Sequence, residues 1–277
     1  ESDQMPWPDA STTGPRGLVV RLSNEKGKVR EARTVLIYEP TEQYPQTRIN
    51  VVLTEDGTLE PRELSKLAKR SGVTIAASTP AEDPGSEKET RSPLQVALDE
   101  KGVEIISLPL GGSDASSLAG SDLPDLLDLS LGSRASGKAA GYREATVLTN
   151  VILASAEGFT QESLSNLAGN IIISPRGWGD YARWEEPVTP TSLVRPDVRG
   201  IPMTVLDNWA PAADLLNTES GTAAEELTLR QRIRALTMMV GLQDPGDQRT
   251  LIVRRTGALD LSQAELDSRL DALLNPD

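Results

Sequence analysis

"RINVVLTEDGTLEPRELSKLAKRSGVTIAAS", residues 48–78, reads as strand, helix, strand. Residues 48–54 and 73–78 are short, nearly continuous apolar runs rich in β-branched side chains. Such a strand puts apolar groups on both sides of its pleat, so both faces need cover. Between the two runs Leu64, Leu67 and Ala68 recur at spacings of three and four before Gly72, which predicts a helix with one apolar face and a glycine stop. A covered strand followed by a covering helix is the unit of a parallel sheet flanked by helices.

The unit repeats towards the C-terminus. Residues 93–102, "PLQVALDEKG", predict a helix with Pro93 in its first turn and Gly102 as its stop, and 103–110, "VEIISLPL", predict a third strand. A helix is expected over 122–133, a fourth strand over 146–155, a helix over 159–169, and strands at 170–174 and 201–207. The longest helix is expected from Ala223 to Leu242, a seventh strand over 249–255, and a closing helix over 261–274 capped by Ser262 or Asp260. Seven such strands fit a closed (β/α) barrel or an open doubly wound sheet. The barrel is favoured, because no strand is followed by Gly-x-Gly-x-x-Gly and no Gly-x-x-x-x-Gly-Lys-Ser/Thr occurs. "PLGGSDASS", 109–117, has the glycines of a phosphate loop but neither its lysine nor its spacing, and reads as a strand-to-helix turn.

Towards the N-terminus the pattern changes. Residues 17–22 and 28–38 are β-rich runs separated by "SNEKG", and predict a hairpin, either the end of a sandwich or an edge added to the main domain. Three regions are expected: a polar, Pro-rich linker over 1–16, the hairpin with its connection over 17–47, and the barrel over 48–277. The chain does not open on Met and reads as a segment of a longer protein.

Composition narrows the chemistry. The formal net charge of −13 disfavours nucleic acid and direct adsorption to anionic lipid. With no Cys and no His among 277 residues, thiolate catalysis, Cys-ligated metals and every imidazole-dependent route are excluded. Carboxylate chemistry, lysine chemistry and all-oxygen cation sites survive. No cofactor and no dedicated metal site is expected.

In parallel β/α folds, ligands sit at the carboxyl ends of the strands. Those ends carry Glu55 and Asp56, Ser78 and Thr79, Gly111 to Asp114, Ser155 and Glu157, Arg176 and Trp178, Asp207 and Asn208, and Arg254 and Arg255. If the protein is an enzyme, Asp56 or Asp114 facing Glu157 or Asp207 would supply the two carboxylates of glycoside chemistry. The same residues also suit turns and helix caps. "NIIISPRGWGDYARWEEPVTP", 170–190, holds three of the nine aromatic residues of the chain. Trp178 and Tyr181 could stack on a sugar while Arg176, Asp180, Asp207 and Arg254 hold its hydroxyls; alternatively, Trp178 plugs the barrel mouth.

The segments "GKVREARTVLIYEPTEQYPQTRINVVLTEDGTLEPRELSKLAKRSGVTIAAS", "GVEIISLPLGGSDASSLAGSDLPDLLD" and "TLRQRIRALTMMVGLQDPGDQRTLIVRRTGALDLSQAELDSRLDALL" occur in an order that resembles the extracytoplasmic region of a family of actinobacterial membrane proteins of unknown function, often encoded beside the lipid II flippase. The resemblance covers most of 28–275. It implies an immunoglobulin-like segment before a barrel similar to polysaccharide deacetylases and seven-stranded glycoside hydrolases, held at the cell envelope by an anchor outside this segment. Deacetylases of that kind carry an Asp-Asp pair after the first strand and a His-x-x-x-His pair. Here "LTEDG" offers Glu55 and Asp56, and the His pair has no counterpart. The implied protein is a non-catalytic module that binds an envelope glycan, a precursor or an envelope-assembly protein; the alternatives are a carboxylate-dependent glycan-active enzyme and a structural spacer.

Overall fold

The computed structural model describes residues 14–24, 26–38, 48–54, 60–78, 91–109, 113–121, 123–134, 141–153, 166–167, 169–174, 193–194, 197–198, 201–202, 204–207, 210–243, 248–254 and 263–275. In chain order the elements are β1 (Gly14–Ser23), β2 (Val29–Tyr38), β3 (Arg48–Thr54), α1 (Pro61–Ala68), β4 (Val73–Ser78), α2 (Pro93–Leu98), β5 (Glu104–Leu108), α3 (Ala115–Gly120), α4 (Pro124–Gly132), β6 (Thr146–Leu148), β7 (Val151–Leu153) and β8 (Ile171–Ser174). They continue with β9 (Leu193–Val194), β10 (Asp197–Val198), β11 (Ile201–Pro202), β12 (Thr204–Asp207), α5 (Ala210–Asn217), α6 (Ala223–Gln243), β13 (Gln248–Arg254) and α7 (Gln263–Leu274).

The fold is mixed α/β and is built on parallel strands. One sheet has the order β13-β3-β4-β5-β6 and is parallel throughout. A second has the order β7-β8-β12-β9; its first three strands are parallel and β9 runs against them. β7 also lies beside β5, and β12 beside β13.

Alternate residues of the strands bury in opposite directions. Val51, Leu53, Ile75, Ala77 and Ile105 pack with Leu64 and Leu67 of α1, Ile233 of α6 and Leu270 of α7. Ile152 and Ile172 pack instead with Ala115 and Ala119 of α3 and Leu127 of α4. The intervening positions Val52, Ala76, Ile106, Val151 and Ile173 form a cluster made of strand side chains alone. The continuous apolar runs therefore have the reason inferred for them: one side faces helices and the other faces neighbouring strands.

Local signals act as their chemistry requires. The spacing in α1 buries Leu64, Leu67 and Ala68. At its end Gly72 takes φ +81°, and its carbonyl accepts from the Val51 amide at 2.7 Å. A Cβ there would lie 2.7 Å from the Ile49 carbonyl oxygen, so glycine is required by both conformation and space. α2 opens on a capping box in which the Gln95 amide donates to Ser92 Oγ at 3.1 Å and the Ser92 amide donates to Gln95 Oε1 at 2.7 Å. This helix ends at Leu98, earlier than the glycine stop suggests, because Asp99 leaves the helical conformation (φ −81°, ψ 68°).

Several expected elements differ. The single strand expected over 146–155 is two: β6 bonds to β5, the chain bends at Thr149 and Asn150, and β7 bonds to β8. The Asn150 carbonyl accepts from the Ile171 amide at 2.7 Å, fixing the step between sheets. The strand expected over 201–207 enters the parallel sheet only at Thr204–Asp207, since 201–202 pair with β10 as β11. α3 begins inside the turn expected after β5, and α5 and the antiparallel β9 were not expected. The hairpin starts at Gly14, inside the stretch read as a linker, and packs on α6 through Thr34, whose hydroxyl donates to Gln231 Oε1.

Candidate functional site

Parallel pairing gathers the carboxyl ends of the strands on one edge of each sheet. On that edge Thr54 of β3 stands in register with Arg254 of β13, Ser78 of β4 with Leu108 of β5, and Ser174 of β8 with Asp207 of β12. β12 also touches β13, and Asp207 and Arg254 are the last residues of these two strands. Thr54 is half-buried and Ser78 exposed.

Asp114 is a helix cap. Its Oδ1 accepts from the Ser117 amide at 3.3 Å and its carbonyl from the Leu118 amide at 3.0 Å, satisfying the first turn of α3. Beside it, Ser113 Oγ and Ser130 Oγ share a hydrogen bond of 2.8 Å that ties this turn to α4. Of the carboxylates expected for glycoside chemistry, Asp56 and Glu157 lie outside the described residues, as do Arg176, Trp178, Asp180 and Tyr181. Among the described residues no group of three or more Asp, Glu, His or Cys could hold a metal ion, and no helix is long and apolar enough to cross a membrane.

A polar cluster sits on the opposite edge, where strands begin. Asp99, between α2 and β5, has a nearly buried carboxylate. Its Oδ1 accepts from the amides of Arg143 and Glu144, each at 2.7 Å, and of Ala145 at 3.2 Å; its Oδ2 accepts from Arg91 Nη2 at 2.6 Å. Burial pushes the carboxyl up, but the three amides and Arg91 outweigh it and hold Asp99 below its ordinary 3.8. Tyr142, next to the anchored turn, is buried, and its phenol is pushed up to about 12, first by burial and then by the Asp99 charge, with Arg91 acting the other way. In the second sheet Arg134 joins the starts of β7 and β8, donating to the Val151 carbonyl at 3.3 Å and to Asn170 Oδ1 at 3.4 Å. At the amino ends of parallel strands such groups serve stability rather than chemistry.

A second polar cluster joins α5, α6 and α7. Arg269 is fully buried, yet every N–H of its guanidinium has an acceptor. Nη1 donates to the carbonyls of Leu216 and Thr218 at 2.8 and 2.6 Å, Nη2 to Glu226 Oε2 at 2.6 Å and Ser220 Oγ at 3.3 Å, and Nε to both Glu226 oxygens at 3.1 Å. Leu216 and Thr218 are at the end of α5, so the guanidinium caps a helix C-terminus while pairing with the first turns of α6. Neither cluster was expected from the sequence. Asp99 and its amide donors are 44 to 46 positions apart, and Arg269 and Glu226 are 43 apart, so no local pattern links them. The one local signal was a lone arginine at Arg269, on the apolar side of a closing helix that also carries Leu266, Leu270 and Leu273.

A comparison with protein-family models finds no match for this chain, and a comparison with curated proteins likewise finds none.

Proposed function

We propose that this chain is a non-catalytic extracytoplasmic module on a degenerate, deacetylase-like barrel, and that it binds a cell-envelope glycan across the carboxyl ends of its strands. In this reading β3, β4, β5, β7, β8, β12 and β13 form one ring in sequence order. The strand-only cluster of Val52, Ala76, Ile106, Val151 and Ile173 is its interior, and the contacts of β5 with β7 and of β12 with β13 join the two sheets. An interior filled with aliphatic groups leaves the mouth as the place for a ligand.

The observation that carries the functional reading is that Asp207 and Arg254 end two strands that touch, β12 and β13, and that the long 175–200 segment follows β8, the parallel partner of β12. A carboxylate and a guanidinium are residue types that suit hydroxyl recognition, and the tryptophans of that segment suit stacking on a sugar face. The lack of any His or Cys weighs against hydrolysis with a metal or a triad. Extracytoplasmic placement rests on the resemblance of 28–275.

The test is tryptophan fluorescence titrated with soluble peptidoglycan, arabinogalactan and chitin fragments. A saturable shift that disappears in Trp178→Ala and weakens at least tenfold in Asp207→Ala or Arg254→Ala is expected. A flat response across the panel would overturn glycan binding. Release of reducing ends that Asp207→Asn abolishes would replace the binding module with a carboxylate-dependent enzyme.

A further inference from the structure

Two exposed surfaces on different elements are apolar and oppositely charged. The first is the β1–β2 hairpin. Its 25 residues, 14–38, carry six Lys and Arg against two Glu, a formal +4, which leaves −17 on the rest of a chain whose total is −13. Cross-strand register puts Leu18 with Thr34, Val20 with Ala32, and Leu22 with Arg30 on one face. Thr34 is where that face meets α6; beyond it Val20 and Leu22 are exposed, Leu22 at 69%, with Arg30 opposite and Lys28 at the turn. Among the described residues the ribbon has only two strands, and a lone two-stranded ribbon with apolar exposed positions gains by being covered.

The second surface is α4. This helix buries Leu127 and Ser130 and turns Leu126 and Leu129 outward, Leu129 at 69%. Asp125 lies one turn before Leu129 on that exposed side, Asp128 is next to it, and α4 contains no basic residue. Leu123, just before the helix, extends the apolar stripe. α4 packs with α3, whereas the hairpin packs with α6, so the two surfaces belong to different parts of the fold.

The geometry points to a second copy of this chain as the occupant: the basic, apolar hairpin of one molecule seats on the acidic leucine stripe of α4 in the next. Leu22 and Val20 meet Leu126 and Leu129, and Arg30 and Lys28 meet Asp125 and Asp128. Hairpin-to-hairpin pairing is opposed by +4 on each partner, and helix-to-helix pairing by the aspartates. The contact is heterologous, because each molecule presents one surface of each kind, and it therefore propagates head to tail. A patch of a few side chains on each partner puts the association in the weak, transient class.

Sedimentation equilibrium on the whole chain at 10–500 µM tests it. The expected weight-average mass rises past that of a dimer at 50 mM NaCl and falls at least twofold at 500 mM. Two variants make the test specific: Leu22→Ser with Arg30→Gln, and Leu129→Ser with Asp125→Asn, all at exposed positions, with native thermal melts as the folding check. Each variant alone is expected to be a monomer. Their equimolar mixture is expected to stop at a dimer, since only one intact hairpin and one intact stripe remain. A wild type that is monomeric throughout overturns the proposal, as does either variant associating alone or a mixture that does not associate. Monomeric wild type that binds phosphatidylglycerol vesicles through the hairpin overturns it in favour of a membrane surface.

Discussion

Arg269→Met should be among the most damaging single changes in the protein. The substitution keeps most of the aliphatic volume but removes a fully buried cation that satisfies the Leu216 and Thr218 carbonyls and the Glu226 carboxylate. Removing one partner of a buried ion pair costs about 3–5 kcal/mol. At about 2–4 °C per kcal/mol for a chain near this size, the melting temperature should fall by roughly 10 °C. Glu226→Leu should cost about the same, because it strands the guanidinium. The double variant should cost less than either, about 2 kcal/mol, since only the Leu216 and Thr218 carbonyls then lack donors at about 1 kcal/mol each. Urea denaturation followed by circular dichroism measures all four proteins, and non-additivity is the signature. Burial raises the Glu226 carboxyl, but bonds from Arg269 and Ser220 outweigh burial and the nearby Glu265, so its folded value lies below 4.5. A depressed folded pKa stabilises fully above the unfolded value, and the benefit is lost as pH falls through the folded one. The gap between wild type and Arg269→Met should therefore narrow in acid, below about pH 4. A single-variant cost under about 1 kcal/mol, or a double-variant cost equal to the sum, would refute the cluster as a joint between α5, α6 and α7.

Asp99→Ala should destabilise by about 1–3 kcal/mol, leaving three amides without their acceptor and Arg91 Nη2 with the Gln95 carbonyl, while Asp99→Asn keeps one oxygen and should cost less. Because the folded Asp99 carboxyl lies below 3.8, its contribution is complete above that pH and lost below it, which denaturation at pH 7 and pH 3 would show. Gly72→Ala should cost more than Gly102→Ala. Both have positive φ, but only Gly72 would drive a Cβ to 2.7 Å from a backbone oxygen, so about 1 kcal/mol at Gly102 and clearly more at Gly72 is expected from paired melts. Ile106→Ala, in the strand-only cluster, should cost about 2–5 kcal/mol, read from the urea midpoint at unchanged slope.

What the sequence determined by itself is what depends on short spacings. The apolar runs at 48–54 and 73–78, the Leu64, Leu67, Ala68 face and the punctuating glycines are each complete within about a dozen residues, and they suffice for alternating strands and helices in a parallel sheet. The bend at Thr149 and Asn150 was not read from the sequence: this polar pair interrupts the apolar run, but a strand tolerates two polar positions, and the choice of partner, β5 before it and β8 after it, is what splits the strand. Of the candidate site, the placement of Asp207 and Arg254 at strand ends was legible from where the apolar runs stop. That the two strands touch is a tertiary contact between two sheets, which no local pattern announces. Asp114 shows the reverse limit: a residue type that suits catalysis and capping equally is assigned by the Ser117 amide that meets it. The tertiary structure alone decided the Asp99 and Arg269 clusters. A buried charge is tolerable only where distant backbone groups converge on it, and convergence over more than forty residues belongs to the folded chain rather than to any local pattern.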